Sequence, residues 1–331
     1  MVFKAYTTVR APDFPAGLRW LSSEPLSLTK LRGKPVLIDI FTYSCINCRR
    51  TFSHLKRWHE TYAKYGLTII GVHTPEFTFE KDEVKVKQSL REAGITYPVV
   101  LDPDYKIWHA YANRYWPRKF LIDREGKVIY DHAGEGAYAE TEFAIQKELK
   151  AMGVKDLPAI GPDDSIGGRV CYRTTPELYL GYLRGRLGNA EDFYPEAETA
   201  FTDVGSYEDD VVYLHGHFNV HGEYLEHARK LSAPHEYLRF KYSAFSVNAV
   251  FGSANSATSV IELELDGKPL SSDFAGDDVV ITKEGKAELL VRDHRLYSLV
   301  RADVHHRGVL TVRVLSGNLQ AYSLTFGSCE E

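Results

Sequence analysis

The stretch PVLIDIFTYSCINCRRTFSHLKRWHETYAKYG, Pro35 to Gly66, decides the fold of the first half of the chain. Pro35 to Phe41 is a short, nearly continuous apolar run, the pattern of a strand buried on both faces. Beyond the two cysteines, Phe52, Leu55, His59 and Tyr62 recur at helical spacing, and Gly66 supplies a stop. Cys45 and Cys48 therefore stand between a buried strand and the start of a helix. Working outward, Leu67 to Val72 (LTIIGV) reads as a second buried strand, Lys81 to Ala93 as a charged surface helix, and Tyr97 to Leu101 as another strand. Phe120 to Asp123 and Val128 to His132 read as an antiparallel hairpin turning at Gly126. Glu140 to Met152 closes the unit as a helix with Ile145, Leu149 and Met152 facing inward and Gly153 after it. This order of strands and helices predicts a mixed sheet covered by helices on both faces.

The full chain has 331 residues, enough for two domains of roughly 100 to 200 residues each. Hydrophobic residues at 44% and charged residues at 26% are ordinary for a soluble globular protein. A net charge of −5 offers no overall attraction to nucleic acid or to an anionic membrane, a local basic patch aside, and nucleic acid is not an expected partner. No apolar run approaches the ~18 residues of a membrane helix. The opening MVFKAYTTVR lacks the apolar stretch of a secretory signal, so a signal or anchor is expected to be missing from this chain. All four tryptophans precede residue 117, whereas eight of the 13 histidines follow residue 200, which supports two units of different kind. Between them, KDLPAIGPDDSIGGR gathers Pro, Gly, Asp and Ser without apolar periodicity. The expected division is residues 1–155 as the α/β domain that carries the two cysteines, 156–168 as a linker and 169–331 as a β-sandwich.

A C-x-x-C pair has three main uses: half a zinc site, a c-type haem attachment, or a redox dithiol. Haem attachment requires His after the second Cys, and position 49 is Arg. Zinc needs further ligands, and Cys171 and Cys329 are distant and not paired at metal spacing. The redox reading fits the strand–turn–helix context. A helix start offers Cys45 unpaired N–H groups and a positive dipole end, which favours its thiolate. Asp39 sits within the apolar strand, where a buried carboxyl is costly and its pKa raised; a hydrogen-bonded core acid is the alternative. Pro117, in YWPRKFLID, directly precedes a strand. A trans proline is common there, but in this context a cis Trp116–Pro117 bond is expected. Glu76, in HTPEF, follows the second strand, whose C-terminal end should lie near the active site.

Residues from about Pro12 to Met152 resemble thioredoxin-fold proteins of the TlpA/ResA type, through PDF, LRGKPVLIDIF, the C-x-x-C and YWPRKFLIDREGKV. FTYSCINCRRTFSHLKRWHETY, GVHTPEF and GEGAY resemble more closely the soluble C-terminal region of DipZ proteins. Those proteins join a CcdA-type membrane electron carrier to an exported thioredoxin-like domain and a β-rich module likened to carbohydrate-binding domains. The resemblance implies a thiol–disulfide oxidoreductase without cofactor, exchanging with extracytoplasmic protein disulfides or dithiols. A CcdA/DsbD-type membrane thiol carrier would be its electron donor, and a glycan a candidate partner of the β domain. Cys45 matches the attacking cysteine, Cys48 the resolving one, Pro117 the cis-proline and Asp39 the buried acid of thioredoxin. Many TlpA-type proteins carry a non-acidic residue at that last position. Glu76, and Trp116 beside the proline, are the residues expected to tune the dithiol. Thr42-x-x-Cys45 also matches part of the peroxiredoxin pattern P-x-x-x-T-x-x-C, but Ile38 stands where its Pro belongs and Cys48 has no place in it.

From about Gly168, strand-like runs dominate: VVYLHGHFNV, YLRFKYSAFSVNAVF, SVIELELDG, KAELLVRD, RLYSLVRADV, GVLTVRVLS and QAYSLTFG. Gly, Asn, Asp and Ser punctuate them at sandwich-like spacing. The one helix suggested is Thr175 to Leu187. The fold class is thus an α/β thioredoxin fold followed by an all-β, jelly-roll-like sandwich. His215, His217 and His221 with Glu223 invite a metal reading, but their spacing departs from the cupin pattern and no second motif completes it; no metal is expected. Tyr172, Tyr179, Tyr182, Tyr213 and Tyr224 offer sugar-stacking platforms or ordinary core tyrosines. Cys171 and Cys329 stand at the two ends of the β module, and domain termini often lie close together. A disulfide between them is expected, two unrelated free thiols being the alternative. A non-catalytic binding protein and a metal-binding protein are the rival function classes.

Overall fold

The computed structural model describes residues 9–161, 171–191, 193–229, 236–254, 257–316 and 318–329. The chain divides into two compact units, Met1–Gly168 and Arg169–Glu331. Positions 162–168 of the expected linker lie outside the described residues. No helix among the described residues is long and apolar enough to cross a membrane.

In the first unit, the chain order is β1 (Val9–Arg10), β2 (Trp20–Leu21), β3 (Val36–Phe41), α1 (Ile46–Tyr62), β4 (Thr68–His73), α2 (Glu83–Glu92), β5 (Val99–Leu101), α3 (Lys106–Ala110), β6 (Arg118–Ile122), β7 (Lys127–Ala133) and α4 (Tyr138–Ala151). The seven strands form one mixed sheet in the order β1-β7-β6-β3-β4-β5-β2. β4 runs parallel to β3, and β5 parallel to β4, while β6 is antiparallel to β3. As the apolar run implies, all six residues of β3 are buried.

Alternation along β3 sorts those residues to two faces. Leu37 and Phe41 join Cys48, Leu55 and Trp58 of α1 and Ile145 and Leu149 of α4 in one core. Ile38 and Ile40 join Ile70, Val72, Trp108 and Phe120 in the other. Asp39 lies between Leu37 and Phe41 in the period and so faces α1. The helix α1 buries Cys48, Phe52, Leu55, Trp58 and Tyr62, a stripe at intervals of three and four. A 3-10 turn then leads to Gly66 at φ 107°, where a left-handed residue ends the helix. The two edge strands and α3 carry no signal strong enough to read from sequence: the strands have two residues each and α3 has five.

The second unit is all β. Its strands are β8 (Leu178–Tyr179), β9 (Glu198–Phe201), β10 (Val212–Val220), β11 (Leu225–His227), β12 (Tyr237–Ser253), β13 (Ser259–Leu265), β14 (Lys268–Pro269), β15 (Val280–Ile281), β16 (Ala287–Val291), β17 (Arg295–Ser316) and β18 (Leu319–Gly327). They form one 11-stranded antiparallel sheet organised around β12 and β17. The first half of β12 lies between β10 and β17, and its second half between β17 and β18. Register shifts at Ala244/Ser246 and Val247/Asn248 bend the strand between the two settings. Its first half alternates buried with half-buried residues, and its second half is buried throughout.

Two sequence expectations are corrected here. Thr175 to Leu187 is not a helix: Leu178 pairs with Leu324 of β18, and the chain then turns at Gly181–Gly185. At Gly185 a Cβ would lie 2.1 Å from the Tyr179 carbonyl oxygen, a close approach that requires glycine. RLYSLVRADV and GVLTVRVLS are one strand, because Gly308 continues the ladder opposite Tyr242 instead of breaking it. Of the tyrosines proposed as stacking platforms, Tyr213 is buried in the unit. His215 stacks on Tyr237, His217 contacts Glu236 and Arg229, and His221 contacts Glu196. A disulfide joins Cys171 to Cys329, across 158 residues of sequence.

Candidate active site

Cys45 is the N-cap residue of the 17-residue α1, with extended backbone (φ −77°, ψ 120°) and no acidic side chain in the first turn. Its position leaves the thiol at the open, electropositive end of the helix. Cys45 is half-buried and Cys48 wholly buried, and both thiols are free. One turn into the helix, Cys48 belongs to the α1-side core. Burial pushes its thiol well above the usual cysteine range, and the hydrogen bond and charge of Cys45 and the charge of Asp39 push the same way.

The loop before β6 closes the site from the other side. The Trp116–Pro117 peptide bond is cis. The Trp116 carbonyl oxygen lies 3.8 Å from Cys45 Sγ, and its indole N–H donates to the Thr74 carbonyl at 2.9 Å. Trp116 also packs on Trp108, with ring centroids 4.1 Å apart. Cys45, Trp116 and Pro117, separated by some 70 positions of sequence, are thus brought together.

Asp39 is completely buried, and neither of its carboxyl oxygens has a hydrogen-bond partner among the described residues. Burial pushes its pKa up to about 7, against the opposing charge of Lys119. Lys119 is its register partner on β6 and is equally buried. Its ammonium lies 3.4 Å from the Gly134 carbonyl oxygen and 5.5 Å from the Tyr138 ring centroid. Burial holds the Lys119 pKa below the usual lysine value, while the charges of Asp39, Cys48 and Glu135 oppose that shift.

The acid that reaches the cysteine loop from the segment after β4 is Glu80, which sequence reading passed over. Glu80 lies in a 3-10 turn, Thr78–Lys81, and is completely buried. Its carboxylate accepts the Ser44 hydroxyl at 2.6 Å, the Ser44 N–H at 3.3 Å, and the Glu76 and Phe77 N–H groups at 2.5 and 3.0 Å. Burial and the neighbouring Glu76 charge push it up to about 7, against the hydrogen bonds it accepts. Glu76 is half-exposed and joins this network through its backbone N–H. Next to it, His73 is buried, stacked on Tyr43, and held near 3 by burial, so its ring stays neutral.

Two family models match. One described as AhpC/TSA family covers residues 8–131, and one described as thioredoxin like C-terminal domain covers 175–327. Protein DipZ of Mycobacterium tuberculosis (strain CDC 1551 / Oshkosh) is 33% identical over 324 residues, 96% of this chain and 43% of that protein. Thiol-disulfide oxidoreductase YkuV of Bacillus subtilis (strain 168) is 25% identical over 138 residues, 42% of this chain and 93% of YkuV. Residues 8–131 thus match a thioredoxin-like domain, and the relatives similar to them include thiol–disulfide oxidoreductases. A crystal structure of a thiol-disulfide isomerase from Corynebacterium glutamicum is similar to 42% of the chain and 96% of its own, with 24% identity and a TM-score of 0.39. The chain spans less than half the length of the DipZ proteins it matches. YkuV aligns with a length close to that of the first unit, which holds the dithiol.

Proposed function

We propose that the chain acts outside the cytoplasm as a reductase of protein disulfides, with Cys45 attacking and Cys48 resolving. The observation that carries this reading is the asymmetry of the pair: Cys45 caps α1 half-buried beside the Trp116 carbonyl, whereas Cys48 is wholly buried. The Cys45 thiolate attacks a substrate disulfide. A Cys45–substrate bond forms and the other substrate sulfur leaves as a thiolate. Cys48 then gives its proton to Asp39, and its sulfur attacks Cys45 Sγ and expels the second substrate thiolate. Two electrons have passed to the substrate, and Cys45–Cys48 is left as a disulfide. Asp39 suits the base role because its pKa of about 7 lies near neutral working pH. Trp116 and Pro117 are assigned to holding an extended substrate segment beside Cys45.

Likeness to DipZ proteins supports reduction, with electrons supplied by a CcdA/DsbD-type membrane carrier. The Cys171–Cys329 disulfide supports an oxidising compartment. Residues 1–155 are assigned to the redox domain, 156–168 to the linker and 169–331 to the β domain. The long bent strands of that domain support a jelly-roll-like sandwich. The decisive measurements are insulin reduction and the Cys45–Cys48 potential. Cys45→Ser should abolish turnover, and the potential should be about −230 mV or lower. A potential near −120 mV would reverse the direction, and full activity in Cys45→Ser would end the proposal.

A further inference from the structure

Asp39 is flanked on its own face of the sheet by two register partners, Lys119 on β6 and Gly71 on β4. Gly71 contributes no side chain, yet its place is filled. A Cβ built there would meet Phe41 Cε1 at 2.9 Å, Val99 Cγ2 at 3.1 Å and Tyr97 Cε2 at 3.4 Å. The Tyr97 ring, from the loop before β5, therefore lies over the site on the flank opposite Lys119. Tyr97 is fully buried, and His59 of α1 packs against it edge-on with centroids 5.9 Å apart. The Tyr97 ring edge thus lies against the strand neighbour of Asp39, and its hydroxyl and the Asp39 carboxyl are both buried without a hydrogen-bond partner among the described residues.

We propose that the Tyr97 hydroxyl is a positioning group for the transfer of the Cys48 proton to Asp39, its O–H dipole favouring the charged carboxylate. The proposal rests on the reading of Asp39 as the base for Cys48. The proton leaves Cys48 Sγ for an Asp39 oxygen; the sulfur electron pair forms the bond to Cys45 as the Cys45–substrate bond breaks. Tyr97 neither gains nor loses a proton. Burial, and then the charges of Asp39 and Cys48, push its pKa well above the usual tyrosine value, so it stays a neutral donor. The groups facing this proton are Lys119 from β6, Cys48 from α1 and Tyr97 itself. His59 stands edge-on behind Tyr97, while Tyr138 of α4 and Glu135 stand behind Lys119.

The test follows release of nitrothiobenzoate from its mixed disulfide with Cys45 in the full chain, from pH 5 to 9. Tyr97→Phe keeps the ring over Gly71 but removes the dipole. The limb set by Asp39 should move to higher pH and release at pH 6 should slow about three- to tenfold. The Cys45 alkylation profile should stay in place. An unmoved limb overturns the proposal, and if Asp39→Asn abolishes the limb in the same assay, the base reading of Asp39 stands without Tyr97. If Asp39→Asn leaves the limb intact, both fall. In the unsubstituted chain, the Tyr97 Cζ carbon resonance should titrate with the Asp39 carboxyl; a resonance flat through that titration overturns the proposal independently of any variant.

Discussion

Asp39 and Glu80 approach the dithiol from different elements, and burial raises both carboxyls to about 7. Unfolded, each would release its proton near 4; folded, each holds it until about 7. Over that window the folded chain binds more protons than the unfolded one, so each acid lowers stability as pH rises and the cost is complete above pH 7. Asp39→Asn should therefore unfold at higher urea than the parent at pH 8, with a gain on the order of 3–4 kcal/mol, and should lose that advantage by pH 4. Glu80→Gln should gain less, because one amide oxygen cannot replace two that accept from Ser44, Glu76 and Phe77. Denaturation curves at the two pH values check this; a gain independent of pH would contradict the burial account. Sequence pointed to Asp39 because an acid interrupts an otherwise apolar strand. Glu80 stands in the charged run EKDE, which reads like any solvated helix start, and its contact with Ser44, 36 positions away, exists only in the fold.

At the scale of elements, the placement of the pair depends on three neighbouring strands more than on the helix that carries it. β3, α1 and β4 were legible because burial on both faces leaves an apolar run and α1 leaves a stripe. Their register was not legible, and register decides that Lys119 and Gly71 flank Asp39. Lys119 would ordinarily be assigned to solvent, and no feature of YWPRKFLID says otherwise until β6 is placed beside β3. The same limit explains the β unit, where Gly308 looked like a break and is a ladder position. Gly71 offers a direct test of the packing. Gly71→Ala would press a methyl to 2.9 Å from Phe41 and 3.1 Å from Val99, both in the closely packed core between β3 and β5. A loss of about 1–3 kcal/mol is expected by thermal denaturation. An unchanged melting temperature would mean that the ring of Phe41 yields freely, and that the space over Gly71 is not tightly held.

At the scale of the whole molecule, two units differ in how their cores are closed. The first has helices on both sheet faces and keeps its cysteines free. The second is all β, and its first and last described segments meet at Cys171 and Cys329, with the Tyr172 N–H donating to the Ser328 carbonyl at 2.8 Å beside the disulfide. Cross-linking residues 158 apart removes unfolded-state freedom worth roughly 4–5 kcal/mol in the chain-entropy treatment. For a unit of this size that corresponds to about 10–20 °C in melting temperature. Calorimetry of the full chain carrying Cys171→Ser and Cys329→Ser should lower one transition by that amount and leave the transition of the redox unit in place. Insulin reduction should persist, because Cys45 and Cys48 are untouched. Peptide mapping without reductant should recover the linked Cys171 and Cys329 peptides only from the parent. If the double variant melts like the parent, the disulfide constrains nothing that the antiparallel pairing of the terminal strands has not already constrained. The β sheet would then hold its ends together by ladder hydrogen bonds alone.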